Sequence, residues 1–323
     1  MRKPWLLIVC VLALLHVAPG AMAEEKLLCI GISQIVEHPA LDATRKGFMD
    51  DLEENSFQKD KRVTYDYNNA QNNRAVSGQI ARTFVGEDVN LILAISTPSA
   101  QDAAGATKTI PVLFSAITDP VAAGLVKSLE RPGGNVSGTC DRSPVERQLA
   151  LVRDIVPKVR SIGTVYNPGE MNSVASVNEI QERATAMGLT LVKAAATSSS
   201  AVKMAAESLI GRVDAIHIPT DNTVVLAIES VVKVCQDNKI PLFAADVDSV
   251  KRGAIAALAL DYYALGRQTG AMARKILQGQ KKISEMPVEM QKDLLLYVNP
   301  RQAAKMGVKM PAYLVQRAAK VVE

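Results

Sequence analysis

Asp88-Val89-Asn90-Leu91-Ile92-Leu93-Ala94-Ile95-Ser96-Thr97-Pro98 is an apolar run of strand length that ends on a polar tip. Val213-Asp214-Ala215-Ile216-His217-Ile218-Pro219-Thr220-Asp221 repeats the pattern further along the chain. A short continuous apolar run bounded by turn residues reads as a strand buried on both faces. Each run leads into a helical pattern, over 99–106 and 223–238. Each helix is followed by a strand that opens on Ile-Pro: Ile110-Pro111-Val112-Leu113-Phe114 and Ile240-Pro241-Leu242-Phe243. Any two doubly wound domains look alike at this level. The shared Ile-Pro start favours a duplication.

The same alternation extends outward from these stretches. The first half predicts strands over 27–32, 63–67, 91–95 and 110–114, with helices over 41–52, 75–85 and 99–106. The order restarts after Pro144, with helices over 145–155, 173–187, 199–210 and 223–238 and strands over 162–166, 189–194, 215–218 and 241–244. Strand and helix in steady alternation predict parallel sheets covered on both faces. The expected fold class is α/β, two doubly wound Rossmann-like lobes joined by a hinge of about three crossovers. Lobe 1 is expected over 24–141 plus 249–285, and lobe 2 over 142–248 plus 286–323. Those bounds put crossovers near 139–144, 246–250 and 283–288. A strand at 254–260, a helix at 263–277 and a strand at 294–298 read as the chain recrossing to complete each lobe.

Composition bounds the function. Arg2 and Lys3, an apolar run from Trp5 to Val17 and then Ala21-Met22-Ala23 predict a cleavable secretory signal over 1–23, and hence a periplasmic or extracytoplasmic protein. A retained anchor is the alternative, but the run is short of the roughly 20 apolar residues a span requires. The net charge of +4 falls to +2 without Arg2 and Lys3, and no basic cluster stands out. No nucleic-acid partner is expected. Of the four cysteines Cys10 falls in the expected signal; the mature ones, Cys29, Cys140 and Cys235, are odd in number and widely spaced, which predicts buried thiols instead of disulfides. With no Cys/His cluster, neither a metal site nor a cofactor is expected. The single tryptophan is Trp5, so the mature chain would have none. That counts against a sugar site built on tryptophan stacking.

Open α/β sheets bind ligands outside the carboxyl ends of their strands. The polar tips there carry groups suited to a small zwitterion. Thr97, Pro98 and Ser99 open a helix, where free amides and hydroxyls attract a carboxylate. Thr118-Asp119, Thr220-Asp221-Asn222, Asp246 and Asp261 offer acceptors for an ammonium. Gln34 lies at the first tip, and the turn Asn167 to Ser173, with Asn172 and Ser173 as candidate caps, offers a second anion site. Each of these residues also has an ordinary reading as a helix cap. His38 reads more readily as a loop histidine than as a contact. Phe114, Tyr166 and Tyr262 are candidate apolar walls. No catalytic residues are expected. The first strand runs into Gly31-Ile32-Ser33-Gln34, not a Gly-x-Gly-x-x-Gly turn, and neither a phosphate-binding loop nor a Gly-x-Ser-x-Gly elbow occurs.

Four motifs together resemble one family. They are Ile32-Ser33-Gln34-Ile35-Val36-Glu37-His38-Pro39-Ala40-Leu41-Asp42, Thr118-Asp119-Pro120-Val121-Ala122-Ala123-Gly124-Leu125-Val126, Tyr166-Asn167-Pro168-Gly169-Glu170 and Pro219-Thr220-Asp221-Asn222. They look like those of ABC-transporter substrate-binding proteins of the tryptophan/tyrosine uptake type, over nearly all the mature chain. The resemblance implies a type I periplasmic-binding-protein fold, delivery of an amino acid, aromatic in some members, to a membrane permease, and no catalysis. A monomer is expected. The alternatives are a ligand-sensing binding protein for a membrane receptor, or an ABC binding protein for a nucleobase or sugar.

Overall fold

The computed structural model describes residues 27–323, so the expected signal over 1–23 lies outside the described residues. The first half of the chain forms β1 (Leu28–Gln34), α1 (Pro39–Glu54), β2 (Val63–Asn69), α2 (Arg74–Gly86), β3 (Leu91–Ile95), α3 (Thr97–Ala106), β4 (Val112–Ile117) and β5 (Val136–Cys140). The second half forms α4 (Val145–Ile155), β6 (Ser161–Tyr166), α5 (Met171–Ala186), β7 (Thr190–Ala195), α6 (Val202–Glu207), β8 (Ala215–Ile218), α7 (Asn222–Leu226), α8 (Ile228–Asn238), β9 (Leu242–Ala244), α9 (Asp248–Lys251) and β10 (Ala256–Leu260). The chain then recrosses through α10 (Tyr262–Leu277), β11 (Glu289–Met290), β12 (Leu294–Val298), α11 (Pro300–Lys305), α12 (Ala312–Arg317) and β13 (Lys320–Val321).

One sheet has the order β11-β5-β4-β3-β1-β2 and the other β13-β12-β10-β9-β8-β6-β7. Read from the β2 and β7 edges, the first five strands of each sheet follow the same path. The two Ile-Pro segments open β4 and β9, which hold equivalent places. Every strand pair is parallel except β10 with β12. The two echoing runs are β3 and β8, each beside the first strand of its lobe. That is the point where the strand order reverses and a crevice opens at the carboxyl ends. All five residues of β3 and all four of β8, His217 included, are buried.

Each lobe has its own core. Phe48, Phe84 and Phe114 anchor the first; Val152, Ile180 and Phe243 anchor the second. α10 seals the first lobe against α1, where the backbones meet at glycines. A Cβ on Gly266 would stand 2.0 Å from the Thr44 carbonyl oxygen, and one on Gly47 2.1 Å from that of Tyr263.

Two expected crossovers move. The strand at 254–260 is β10, paired with β9 and β12 in the second sheet, so 249–260 does not belong to lobe 1. The chain passes back at Asp261 instead. β11 pairs with β5, Glu289 opposite Thr139, which keeps the chain in the first lobe through Met290. An apolar run carries no mark of which sheet accepts it, so pairing settles what sequence left open. β5 was not expected as a strand because Ser137, Gly138 and Thr139 interrupt its apolar pattern. The helix expected over 223–238 breaks at Ala227, where φ is −110° and ψ 24°. The described cysteines are all free. Among the described residues no helix is long and apolar enough to cross a membrane, and no group of three or more His, Cys, Asp or Glu is placed to hold a metal ion.

Candidate ligand-binding cleft

The carboxyl tips of both sheets face one cavity. The first lobe lines it with His38, Ser96, Ala116, Thr118, Asp141 and Tyr262, and the second with Asn172, Thr220, Asp221, Asn222, Val225 and Asp246. Hydrogen bonds cross between the lobes at its rim. Asn222 Nδ2 donates to Ser96 Oγ at 2.9 Å, and the Thr118 and Thr220 hydroxyls pair at 3.0 Å. Asn72 Nδ2 donates to Thr223 Oγ1 at 2.9 Å.

Backbone strain is stored at this rim. Ser96, which follows β3, has φ 76° and ψ 155°, and Ala116 in β4 has φ 59°. Positive φ at a non-glycine residue costs about 1–3 kcal/mol and persists only where the surroundings enforce it. Both residues line the cavity.

Glu170 organises the second lobe's side. It is buried at the start of α5 and receives the Asn222 and Thr223 backbone amides at 3.2 and 3.1 Å. It also accepts from the Thr223 hydroxyl at 2.7 Å and from the side-chain amide of Asn222. A buried carboxylate is tolerated when several donors offset its desolvation. Asp221 beside it accepts from Val224 N at 2.8 Å, from Asn167 N and from the Ser173 hydroxyl. Burial, reinforced by the Glu170 charge, pushes the Asp221 carboxyl up to about 7.

Two more carboxylates face the cavity. Asp141 Oδ2 accepts from the Tyr262 hydroxyl at 2.8 Å, while its Oδ1 has no hydrogen-bond partner. Asp246 accepts from the amide and hydroxyl of Ser249. Burial raises both above the usual carboxylate range. Burial also lowers His38 to about 4, so it is neutral near pH 7. Among the described residues, no lysine or arginine lines the cavity.

Of the residues singled out from sequence, Thr118, Asn172, Thr220, Asp221, Asn222, Asp246 and the candidate wall Tyr262 line this cavity. Others do not. Gln34 is held at the end of β1 by Val36 O, Asp42 and Arg45. Asp119 caps its own turn through the Val121 and Ala122 amides, and Asp261 caps α10 through Tyr263 and Ala264. Both act as caps, and neither lines the cavity. Asn167 and Ser173 lie behind Asp221 and hold it. Glu170, not Asn172 or Ser173, is the N-cap position of α5. Thr97, Pro98 and Ser99 are buried just behind Ser96, with the Thr97 and Ser99 hydroxyls unpartnered. Phe114 is wholly in the core and Tyr166 packs against the second lobe's core. Sequence reasoning missed Ser96, Asp141 and Glu170, and read His38 as a loop residue. Glu170 stood in a quoted motif, and Ser96 adjoined Thr97, but Asp141 gave no signal because its strand was not recognised.

Two lobes with their strand tips turned onto one polar cavity define a binding module that closes around a small molecule. Residues 29–322 match the family model described as ABC transporter substrate binding protein. The chain belongs to that family. It is 44% identical over 259 residues to a Tyrosine-binding protein of Clostridioides difficile (strain R20291), covering 80% of this chain and 75% of that protein. It is similar to a crystal structure of an ABC domain in complex with L-Trp from Streptococcus pneumonia, with TM-score 0.88 and 34% identity over 92% of this chain and all of that one. A ligand-free, open structure of a substrate binding protein from Clostridium difficile is closer in sequence, at 43% identity, yet superposes less well, with TM-score 0.71 over 92% of this chain and 99% of that one. The lobes here are arranged more like those of the liganded protein than those of the open one.

Proposed function

We propose that the cavity captures an L-amino acid with an aromatic side chain, and that the chain delivers it outside the cytoplasm to the membrane permease of an ABC transporter. The single observation that carries the ligand class is the charge of the lining. Asp141, Asp221 and Asp246 face the cavity with no lysine or arginine among them. Asp221 and Asp246 have donors of their own, but Asp141 Oδ1 has none, and a buried carboxylate in that state calls for a counter-charge from the ligand. A sugar or a neutral nucleobase brings none. The free Oδ1 of Asp141 is the acceptor we assign to the ammonium. Ser96, which lines the cavity at the amino end of α3, is assigned to the ligand carboxylate. The relatives' descriptions, one tyrosine-binding and one in complex with L-Trp, support the aromatic side chain. In this reading the chain binds without catalysis, acts as a monomer, and is exported by residues 1–23.

Calorimetry across the common amino acids, nucleobases and simple sugars tests the ligand class. Heat is expected with tyrosine, tryptophan or phenylalanine; heat with a sugar or purine alone would sink the reading. Asp141→Asn keeps the shape and removes the charge. It is expected to weaken binding by at least tenfold, about 1.4 kcal/mol. Unchanged affinity would remove Asp141 from the ammonium site.

A further inference from the structure

Beside the main cavity lies a second, smaller compartment, with room for a group about the size of a hydroxyl or a water, and Thr118 and Thr220 line both. Its walls are apolar at Val145 and Ile180 and polar at His217 and Gln148. His217, in β8, is 1% exposed, and neither ring nitrogen has a hydrogen-bond partner. Gln148, in α4, is 3% exposed; its Nε2 donates to Leu258 O at 3.0 Å, but its Oε1 has no partner. Buried polar atoms are nearly always satisfied, so three orphaned atoms around one compartment call for an occupant. The partition between the compartments is a row of hydroxyls. Thr220 pairs with Thr118 at 3.0 Å and with Ser176 at 2.9 Å. Thr118 belongs to the first lobe and Ser176 to the second, so only the Thr118–Thr220 pair crosses between the lobes, and a ligand reaching from one compartment into the other takes the place of that pair.

We propose that the second compartment receives the tip of the ligand's side chain, and that His217 and Gln148 select a ring bearing a hydroxyl, tyrosine over phenylalanine. The inference rests on the reading of the main cavity as an amino-acid site. Asp246 of that cavity directly follows Ala245 of the compartment, and Thr118 and Thr220 line both, so the two spaces adjoin. A phenol donates one hydrogen bond and accepts others. A neutral imidazole supplies one donor and one acceptor, and the Gln148 Oε1 a second acceptor. Burial lowers His217 to about 4, which keeps the ring neutral near pH 7. An indole N–H satisfies an acceptor and leaves the imidazole donor idle. A phenyl ring satisfies nothing, and a site that loses the partners of its buried polar groups binds poorly.

The test is calorimetry of L-tyrosine, L-phenylalanine and L-tryptophan on the wild type, His217→Leu and Gln148→Met. The wild type is expected to prefer tyrosine over phenylalanine by at least about tenfold, as loss of buried hydrogen bonds implies. In each variant the tyrosine affinity falls and the phenylalanine affinity holds, so the preference shrinks. Gln148→Met conserves length and carries the test if His217→Leu does not fold. Equal wild-type affinity for tyrosine and phenylalanine overturns this inference alone. So does an equal loss for both ligands in a variant that melts like the wild type. No heat with any of the three overturns the parent reading and this one together.

Discussion

Asp221 stands where residue chemistry was partly legible. Its place after a strand predicted a polar tip, and it does line the cavity. Its neighbours were not legible, because Glu170, Asn167 and Ser173 reach it only through folding. They give it a measurable signature. Burial and Glu170 raise its carboxyl to about 7 from 3.8. Between those values the folded chain holds a proton that the unfolded chain lacks. Stability from this group is therefore present at low pH and lost as pH rises through about 7. His38 and His217 run the other way. Both are lowered to about 4 from 6.5, so their contribution is full above 6.5 and is lost as pH falls toward 4. Below pH 7 the two effects oppose each other, and Asp221 by itself withdraws about 2 kcal/mol between pH 5 and pH 7. Asp221→Asn removes that loss, so from pH 5 to pH 7 the variant should gain about 2 kcal/mol relative to the wild type in denaturant unfolding, whatever it does to stability at a single pH. A slope unchanged in the variant would assign it to another group.

At the scale of elements, the pairing of α1 with α10 could not be foreseen, because the helices lie far apart in sequence. Both helices were recognised from their periodicity. The contact rests on missing side chains, with Gly47, Gly266 and Gly270 each facing the partner helix's backbone. Around them Tyr263 Oη donates to Asp50 at 2.8 Å, and Arg274 Nε to Asp51 at 2.8 Å. Gly266→Ala would set a methyl 2.0 Å from the Thr44 carbonyl oxygen, so the helices must part. Overpacking of this kind costs about 1–3 kcal/mol. A fall in Tm of at least about 3 °C is expected by differential scanning calorimetry. An unaltered Tm would mean that the recrossing helix docks with slack. Other misreadings at this scale share one cause. Periodicity marks an element but not its partner, so β10 went to the wrong lobe. It also marks no break inside a continuous pattern, so α7 and α8 were joined. β5 shows the converse. Gly138 sits where a Cβ would meet the Phe114 carbonyl oxygen at 2.0 Å, and the glycine that allows the close approach also hid the strand.

For the whole molecule, the duplicated order of strands was the most legible feature, since it repeats along the chain in β3 and β4 and again in β8 and β9. What sequence could not supply is the consequence of bringing the two halves together. Asp141 enters the cavity from the first lobe, and Asp221 and Asp246 enter from the second. Against their repulsion stand a few polar contacts between the lobes: Ser96 with Asn222, Thr118 with Thr220, and Asn72 with Thr223. Leu226 of α7 adds an apolar contact with the first lobe's core. Closure should therefore be poised, and a ligand's ammonium shifts it by offsetting charge that the empty cleft must leave bare or protonate. Small-angle scattering near pH 8 is expected to show the wild type contracting when a saturating aromatic amino acid is added. Asp141→Asn separates charge from contact. It should bind the ligand more weakly, yet be more compact than the wild type without ligand, because one of the facing charges is gone. A bias of about 1 kcal/mol changes the ratio of closed to open molecules by a factor of roughly 5, enough to register in the radius of gyration. An unliganded variant as expanded as the wild type would mean that the carboxylates do not hold the lobes apart.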